Sequence, residues 1–256
     1  MKLINKKDYF LLEEIVKRNF ASKYKDSILG IIWSVLKPLL IMILLTIIFS
    51  TIFSGSIENY PVYFLSGKII IDFFSLATNI SMNSLRNNKN ILKKTAAKKY
   101  IFVLGGIVSE FLNFIITVII LVLVMVATNA PFHLLTSILA IIPIISLLMM
   151  ITGISLILSV LCVYFSDIQH LWSVAILMLM YASAIFFPMD IIPEPYYHYM
   201  ILNPVYWVIN QFRTFVLYGN IPDILNMINL VLLSLIILIS GIIVYKKYEK
   251  KLTLKF

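Results

Sequence analysis

The chain of 256 residues is 61% hydrophobic and only 13% charged, about half the charged share of an average soluble domain, so lipid is the solvent for most of it. Its formal net charge of +9 does not mark a nucleic-acid binder: of 21 Lys and Arg, eight lie in 1–37, six in 86–99 and five in 246–256, leaving only Lys68 and Arg213 elsewhere. That clustering is the positive-inside pattern of a membrane protein with both termini in the cytoplasm, and the single cysteine, Cys162, excludes an intrachain disulfide.

The first 28 residues are polar for this chain. Lys6, Lys7 and Asp8 precede a charged stretch rather than a short apolar core, so no cleavable signal peptide is expected. Tyr9, Leu12, Val16 and Phe20 fall on one helical stripe, with Lys7, Glu14 and Arg18 opposite. The segment reads as an amphipathic helix along the cytoplasmic leaflet; packing on a cytosolic partner is the alternative.

Runs free of acidic and basic residues then stand at 38–57, 111–166, 168–189 and 224–245, and a crossing helix needs ~20 apolar residues. The longest run holds two spans, divided at Thr128-Asn129-Ala130-Pro131-Phe132-His133. Two further spans carry charge: 60–85, with Lys68 and Asp72, and 102–127, with Glu110. Six transmembrane helices are therefore expected, at about 29–53, 60–85, 102–127, 135–165, 169–187 and 225–245. Backbone amides in hydrocarbon must bond within their own segment and the runs do not alternate as barrel strands do, so the fold class is all-α.

Lys68 and Asp72 are spaced i, i+4 and can neutralise each other, or line a polar channel. Glu110 can anchor to the inner headgroups, pair with the basic 86–99 segment, or face a channel. Arg86, Lys89, Lys93, Lys94, Lys98 and Lys99 make 86–99 the only sizeable inner connection between spans, suited to a soluble partner or to anionic lipid. The outer connections 54–59 and 128–134 are short, whereas 188–224 mixes Pro188, Pro193, Pro195, Pro204 and Pro222 with tyrosines and Trp207. Apolar stretches too short to cross, broken by proline and rich in interfacial aromatics, suggest re-entrant helices.

Little catalytic chemistry is legible. The sole Gly-Lys pair, Gly67-Lys68, is followed by Ile69 and lacks the leading glycine of a phosphate-binding loop, so the chain cannot be its own ATPase. His133, His170 and His198 fall on three different connections, which excludes a common metal site. Cys162 has no neighbouring base. Asp190 and Glu194 share the outer loop and can be read as a carboxylate pair for glycosyl chemistry or as ordinary loop charges.

The segment Lys23-Tyr24-Lys25-Asp26-Ser27-Ile28-Leu29-Gly30-Ile31-Ile32-Trp33-Ser34-Val35-Leu36-Lys37-Pro38 resembles the entry to the first span in permeases of the ABC-2 type, above all those exporting O-antigen, teichoic acid and related glycans. Gly67 with Phe73-Phe74, Asn90-Ile91-Leu92-Lys93-Lys94, Asp167, Asn203-Pro204 and Arg213 also look like that family. Two departures lie at the inner side: Ala97-Lys98-Lys99 replaces a Phe-Pro-Arg-like turn, and Ser166 stands where an arginine usually precedes the aspartate.

The resemblance implies one ABC-2 transmembrane domain over 1–256, working as a homodimer with two copies of a separate ABC ATPase in the inner cell membrane. ATP and Mg would be bound on that partner, with no cofactor and no catalytic or metal site in this chain. Residues 1–28 would be a gate helix, 86–99 with Asp167 the coupling contact to the ATPase, and 188–224 a re-entrant lid. Sugar C–H faces stack on aromatic rings, which makes Tyr60, Tyr63, Phe64, Phe73, Phe74, Tyr181, Phe186 and Phe187 candidate channel residues beside Lys68 and Asp72; interfacial anchoring and lipid contact are the alternative for those rings. The expected substrate is a lipid-linked polysaccharide. Rival readings are an ABC-2 permease for a small drug or peptide, a membrane-embedded glycan-modifying enzyme and an ion-coupled carrier.

Overall fold

The computed structural model describes residues 6–24, 30, 32–52, 57–95 and 97–255. Residues 1–5 of the expected gate helix, and 25–29 and Ile31 of the family-like segment, lie outside the described residues. Among the described residues every regular element is helical: α1 (Lys6–Tyr24), α2 (Ile32–Phe49), α3 (Tyr60–Asn87), α4 (Lys89–Lys94), α5 (Tyr100–Ala127), α6 (Leu134–Leu139), α7 (Ile141–Tyr164), α8 (Ile168–Tyr181), a 3-10 turn (Met189–Ile191), α9 (Glu194–Ile201), α10 (Pro204–Val216) and α11 (Ile224–Lys255).

Four stretches are long and apolar enough to cross a membrane: α3, α5, α6 with α7 as Leu134–Tyr164, and α11 over Ile224–Glu249. Val35–Phe49 within α2 and the whole of α8 are apolar but shorter. At 14 residues, α8 reaches about 21 Å, less than the ~30 Å hydrocarbon core.

Helix α3 is the centre of the bundle. It begins where Asn59 accepts a hydrogen bond from the Val62 amide, with Pro61 in the first turn where its missing N–H costs nothing. It packs on α2, α5, α7, α8 and α10. Lipid tails are as apolar as leucine, so helices associate in a membrane through close approach and hydrogen bonds rather than through the hydrophobic effect. Both devices operate here. Gly106 of α5 lies over Ser81 of α3, whose hydroxyl donates to the Val103 carbonyl at 3.0 Å. At the α7–α11 crossing a Cβ on Gly241 would sit 2.3 Å from the Gly153 carbonyl oxygen, so the two backbones touch.

The packing gives the bundle two distinct ends. At one, Lys98 bonds Asp8 of α1, Lys99 bonds the Glu249 carbonyl of α11, and Tyr164 meets Tyr248. The three basic segments therefore converge. At the other, Asn59 bonds Thr128 and His133 lies against Gly219.

Two sequence expectations change. α1 lies on α5 through Ile15, 4% accessible, which occupies the notch left by Gly105. Leu12, Val16 and Phe20 are half-buried but Tyr9 is 65% exposed, so the packed face is turned from the expected stripe toward Leu11, Ile15 and Asn19. The fourth expected span is divided at Ala140, three residues before Pro143.

Candidate functional site

At the basic end, α4 is a six-residue helix held by one buried residue, Leu92. Arg86, Lys89, Lys93 and Lys94 are exposed around that anchor, and so is Asp167 at the start of α8. The turn carrying Asp167 is fixed to the inner end of α3: Gln169 bonds Asn83, and Trp172 donates to Thr78 at 3.0 Å. Lys98 and Lys99 differ from the other four cations. Lys98 bonds Asp8 at 2.5 Å, which holds its ammonium above the usual lysine range, and Lys99 bonds the Glu249 carbonyl at 3.2 Å while burial pushes it down. The six cations named from sequence thus divide into four presented outward and two committed within the chain.

Between α2, α3 and α5 lies a cleft of about 380 Å³ lined by Lys23, Trp33, Lys37, Lys68, Asp72 and Asn113, among others. Lys68 and Asp72 are hydrogen-bonded to each other, one turn apart on α3. Asp72 keeps 42% of its side chain accessible, so the pair does not withdraw into the core. Glu110 is buried at 3% and receives Lys23 at 3.0 Å and Asn113 at 3.1 Å. Its ion-pair partner among the described residues is Lys23 in the last turn of α1, 87 positions away. The cleft is walled mainly by apolar side chains with Lys23, Lys37, Lys68 and Asp72 set among them, and ionisable groups within apolar helices of a membrane protein mark transport pathways. It holds no nucleophile–base pair among the described residues.

The opposite end is organised around Arg213 of α10, 4% accessible. It has no carboxylate partner among the described residues. Its guanidinium donates to the carbonyls of Ala184 at 2.8 Å and Tyr63 at 2.9 Å and to the Ser66 hydroxyl at 3.2 Å, and its carbon lies 3.6 Å from the centre of the Tyr63 ring. Tyr63 donates to the Ala184 and Phe187 carbonyls, and Tyr60 to that of Phe186. These groups satisfy the non-helical chain after α8, where Ala184 takes φ +49°. Irregular backbone survives at membrane depth only when buried in protein with its polar groups bonded. Gly67 makes the room: a Cβ there would meet Arg213 Nη2 at 2.7 Å. Asn203 caps α10 by accepting from the Val205 amide and also ties it to α8 through the Leu179 and Ala182 carbonyls. The family-like residues Gly67, Asn203, Pro204 and Arg213 thus share one structural cause.

The aromatic residues divide too. Tyr60, Tyr63, Phe64, Phe73 and Phe74 are between 0% and 6% accessible. Their faces are occupied, Phe64 by Phe186, Phe73 by Phe114 and Phe74 by Trp172. These rings pack against other side chains of the same chain, so in this structure the five belong to its buried core. Tyr181 is exposed, and Phe186 and Phe187 are partly so. Asp190 and Glu194 are exposed, His133 and His170 lie at opposite ends, and Cys162 is buried beside Asn83 and Gln169. Sequence reasoning named neither Tyr63 nor Gly67 as partners of Arg213, nor Lys23 as the partner of Glu110. The available signal was one lone arginine and one lone glutamate in apolar surroundings, each requiring a partner.

Residues 11–217 match the family model described as ABC-2 type transporter. An O-antigen export system permease protein RfbA of Klebsiella pneumoniae is 29% identical over 214 residues, which is 82% of this chain and 82% of the relative. A polysialic acid transport protein KpsM of Escherichia coli is 26% identical over 242 residues, 93% of each. An O-antigen export system permease protein RfbA of Myxococcus xanthus is 23% identical over 233 residues, 89% of this chain and 88% of the relative.

Proposed function

The chain belongs to the ABC-2 type transporter family, and from that premise we propose that it is the permease subunit of an ATP-driven exporter of lipid-linked polysaccharide, such as O-antigen or teichoic acid. The observation that carries the substrate class is the likeness over most of the chain to permeases of O-antigen export and to a polysialic acid transport protein. A permease moves its cargo without making or breaking bonds in it, consistent with a cleft that carries charge and aromatic surface but no catalytic pair.

Two copies of the chain form the working unit, each bound to one copy of a separate ATPase. α2 and α8 complete six membrane crossings, with both termini in the cytoplasm, and α9 with α10 forms a re-entrant lid. α4 and the Asp167 turn form the docking surface for the ATPase. Four outward cations around one buried leucine suit an acidic groove on a soluble protein, where charge complementarity fixes register and speeds encounter. α1 is a gate beside the cleft, joined to α5 at both ends, and ATP-driven displacement of α4 reaches it through the Lys98–Asp8 contact.

The test is export in cells carrying Lys93→Ala with Lys94→Ala. Both side chains are exposed, so insertion and fold are unchanged, while surface polysaccharide falls at least about tenfold, equivalent to ~1.4 kcal/mol of docking free energy. Normal export with normal ATPase capture would overturn the docking assignment.

A further inference from the structure

α5 and α11 both pack on α7 but make little contact with each other near the basic end, and the space between them is a groove of about 380 Å³. Leu104, Leu156 and Ile242 form its walls, with Thr152 at its deep end; the Thr152 hydroxyl bonds its own helix at 2.7 Å and leaves the floor apolar. Along α11 the lining runs from Ile242 to Glu249, seven helical positions, about 10 Å, a length that takes the first part of a fatty acyl chain.

The mouth of this groove is charged. Lys98, Lys246 and Glu249 stand on its rim. Adding the neighbours Lys99, Lys247 and Asp8, four ammonium groups meet two carboxylates, so the mouth is net cationic. Lys98 and Lys99 are engaged within the chain, whereas Lys246 is exposed beside the opening.

Tyr245 gives the second, independent sign of a ligand. It lines the groove, is 4% accessible, and its hydroxyl has no hydrogen-bond partner among the described residues. A buried phenol is ordinarily bonded, because leaving it unpaired forfeits its hydration for nothing. Among the described residues no acceptor reaches it, and a phosphate or ester oxygen drawn into the groove mouth would supply one.

We infer that the groove between α5, α7 and α11 holds one anionic phospholipid of the leaflet at the basic end, its acyl chain along Leu104, Leu156 and Ile242 and its phosphate between Lys246 and the Tyr245 hydroxyl. Cationic pockets between helices at a membrane face recognise anionic headgroups in this way. The bound lipid fills the space where α5 and α11 part, and so fixes α5, the helix on which α1 rests, relative to the α7–α11 pair. This site is separate from the cleft and from the α4 surface, and it stands whatever cargo the chain carries.

The experiment uses the full chain in detergent, equilibrated with vesicles of equal parts phosphatidylglycerol and phosphatidylcholine and then analysed by native mass spectrometry. The expected result is one tightly retained phosphatidylglycerol per chain in preference to phosphatidylcholine. Lys246→Gln, at an exposed position, lowers that retention roughly tenfold, as removal of one charge-assisted hydrogen bond implies. Tyr245→Phe lowers it severalfold without loss of fold. Equal retention of the two lipids by the unaltered chain would overturn the inference, and so would retention of phosphatidylglycerol unchanged in both variants.

Discussion

At the scale of single residues, Arg213 carries the most structural weight. An arginine buried without a carboxylate is expensive unless all its donors are used, and here carbonyls, a hydroxyl and a tyrosine face share the task. Arg213→Ala removes the charged donor, but the Ala184 carbonyl keeps the Tyr63 hydroxyl and the Tyr63 carbonyl keeps the Ser66 hydroxyl, so the loss is about 1–3 kcal/mol in all and the melting temperature of the purified chain should drop. Arg213→Lys should fall between, since an ammonium cannot span the same acceptors. Gly67→Ala destabilises because the new methyl meets the guanidinium, yet it should cost much less once Arg213 is alanine. A double-mutant cycle read by thermal unfolding tests that coupling, and strictly additive losses would contradict it. The sequence shows Arg213 only as a charge in an outer loop, because its partners lie between 29 and 150 positions away and two of them are backbone carbonyls. Lys68 and Asp72 are legible for the opposite reason: they sit one helical turn apart.

At the scale of elements, apolar runs locate the helices, since a crossing helix must be mainly apolar, but not their lengths: the charge-free run 168–189 yields only the 14 residues of α8. The expected spans 60–85 and 102–127 are observed as Tyr60–Asn87 and Tyr100–Ala127, and 225–245 is extended at its basic end into Ile224–Lys255. The interior of the loop 188–224 is legible as short helices through its prolines, with Pro204 opening α10. Which rings face a pathway is not legible: helical spacing places Phe64, Phe73 and Phe74 on α3, but only the arrival of Phe186, Phe114 and Trp172 from distant segments decides that they are enclosed. α1 shows the same limit. Amphipathic spacing finds the helix, while its packed face is set by the notch at Gly105 and by two ion pairs, Asp8 with Lys98 and Glu110 with Lys23. Glu110→Gln removes the buried half of the second pair. Hydrogen exchange of α1 amides should then accelerate by about tenfold or more, corresponding to a local loss of at least ~1.4 kcal/mol. Unchanged exchange would show that apolar packing alone holds α1.

At the scale of the whole molecule, the account is one of polarity between two ends. The end opposite the basic one is held by a hydrogen-bonded network around Arg213 that satisfies the irregular backbone after α8. The basic end gathers α1, α4, the Asp167 turn and the tail of α11, and presents exposed cations. Energy supplied there by another polypeptide, and passed through α1 to the cleft, is the central claim. Side-specific labelling tests it most directly: with Cys162 replaced by serine and Lys93→Cys introduced, a membrane-impermeant maleimide is applied to intact and to permeabilised cells. The account predicts labelling only after permeabilisation, and labelling of equal extent in intact cells would contradict it.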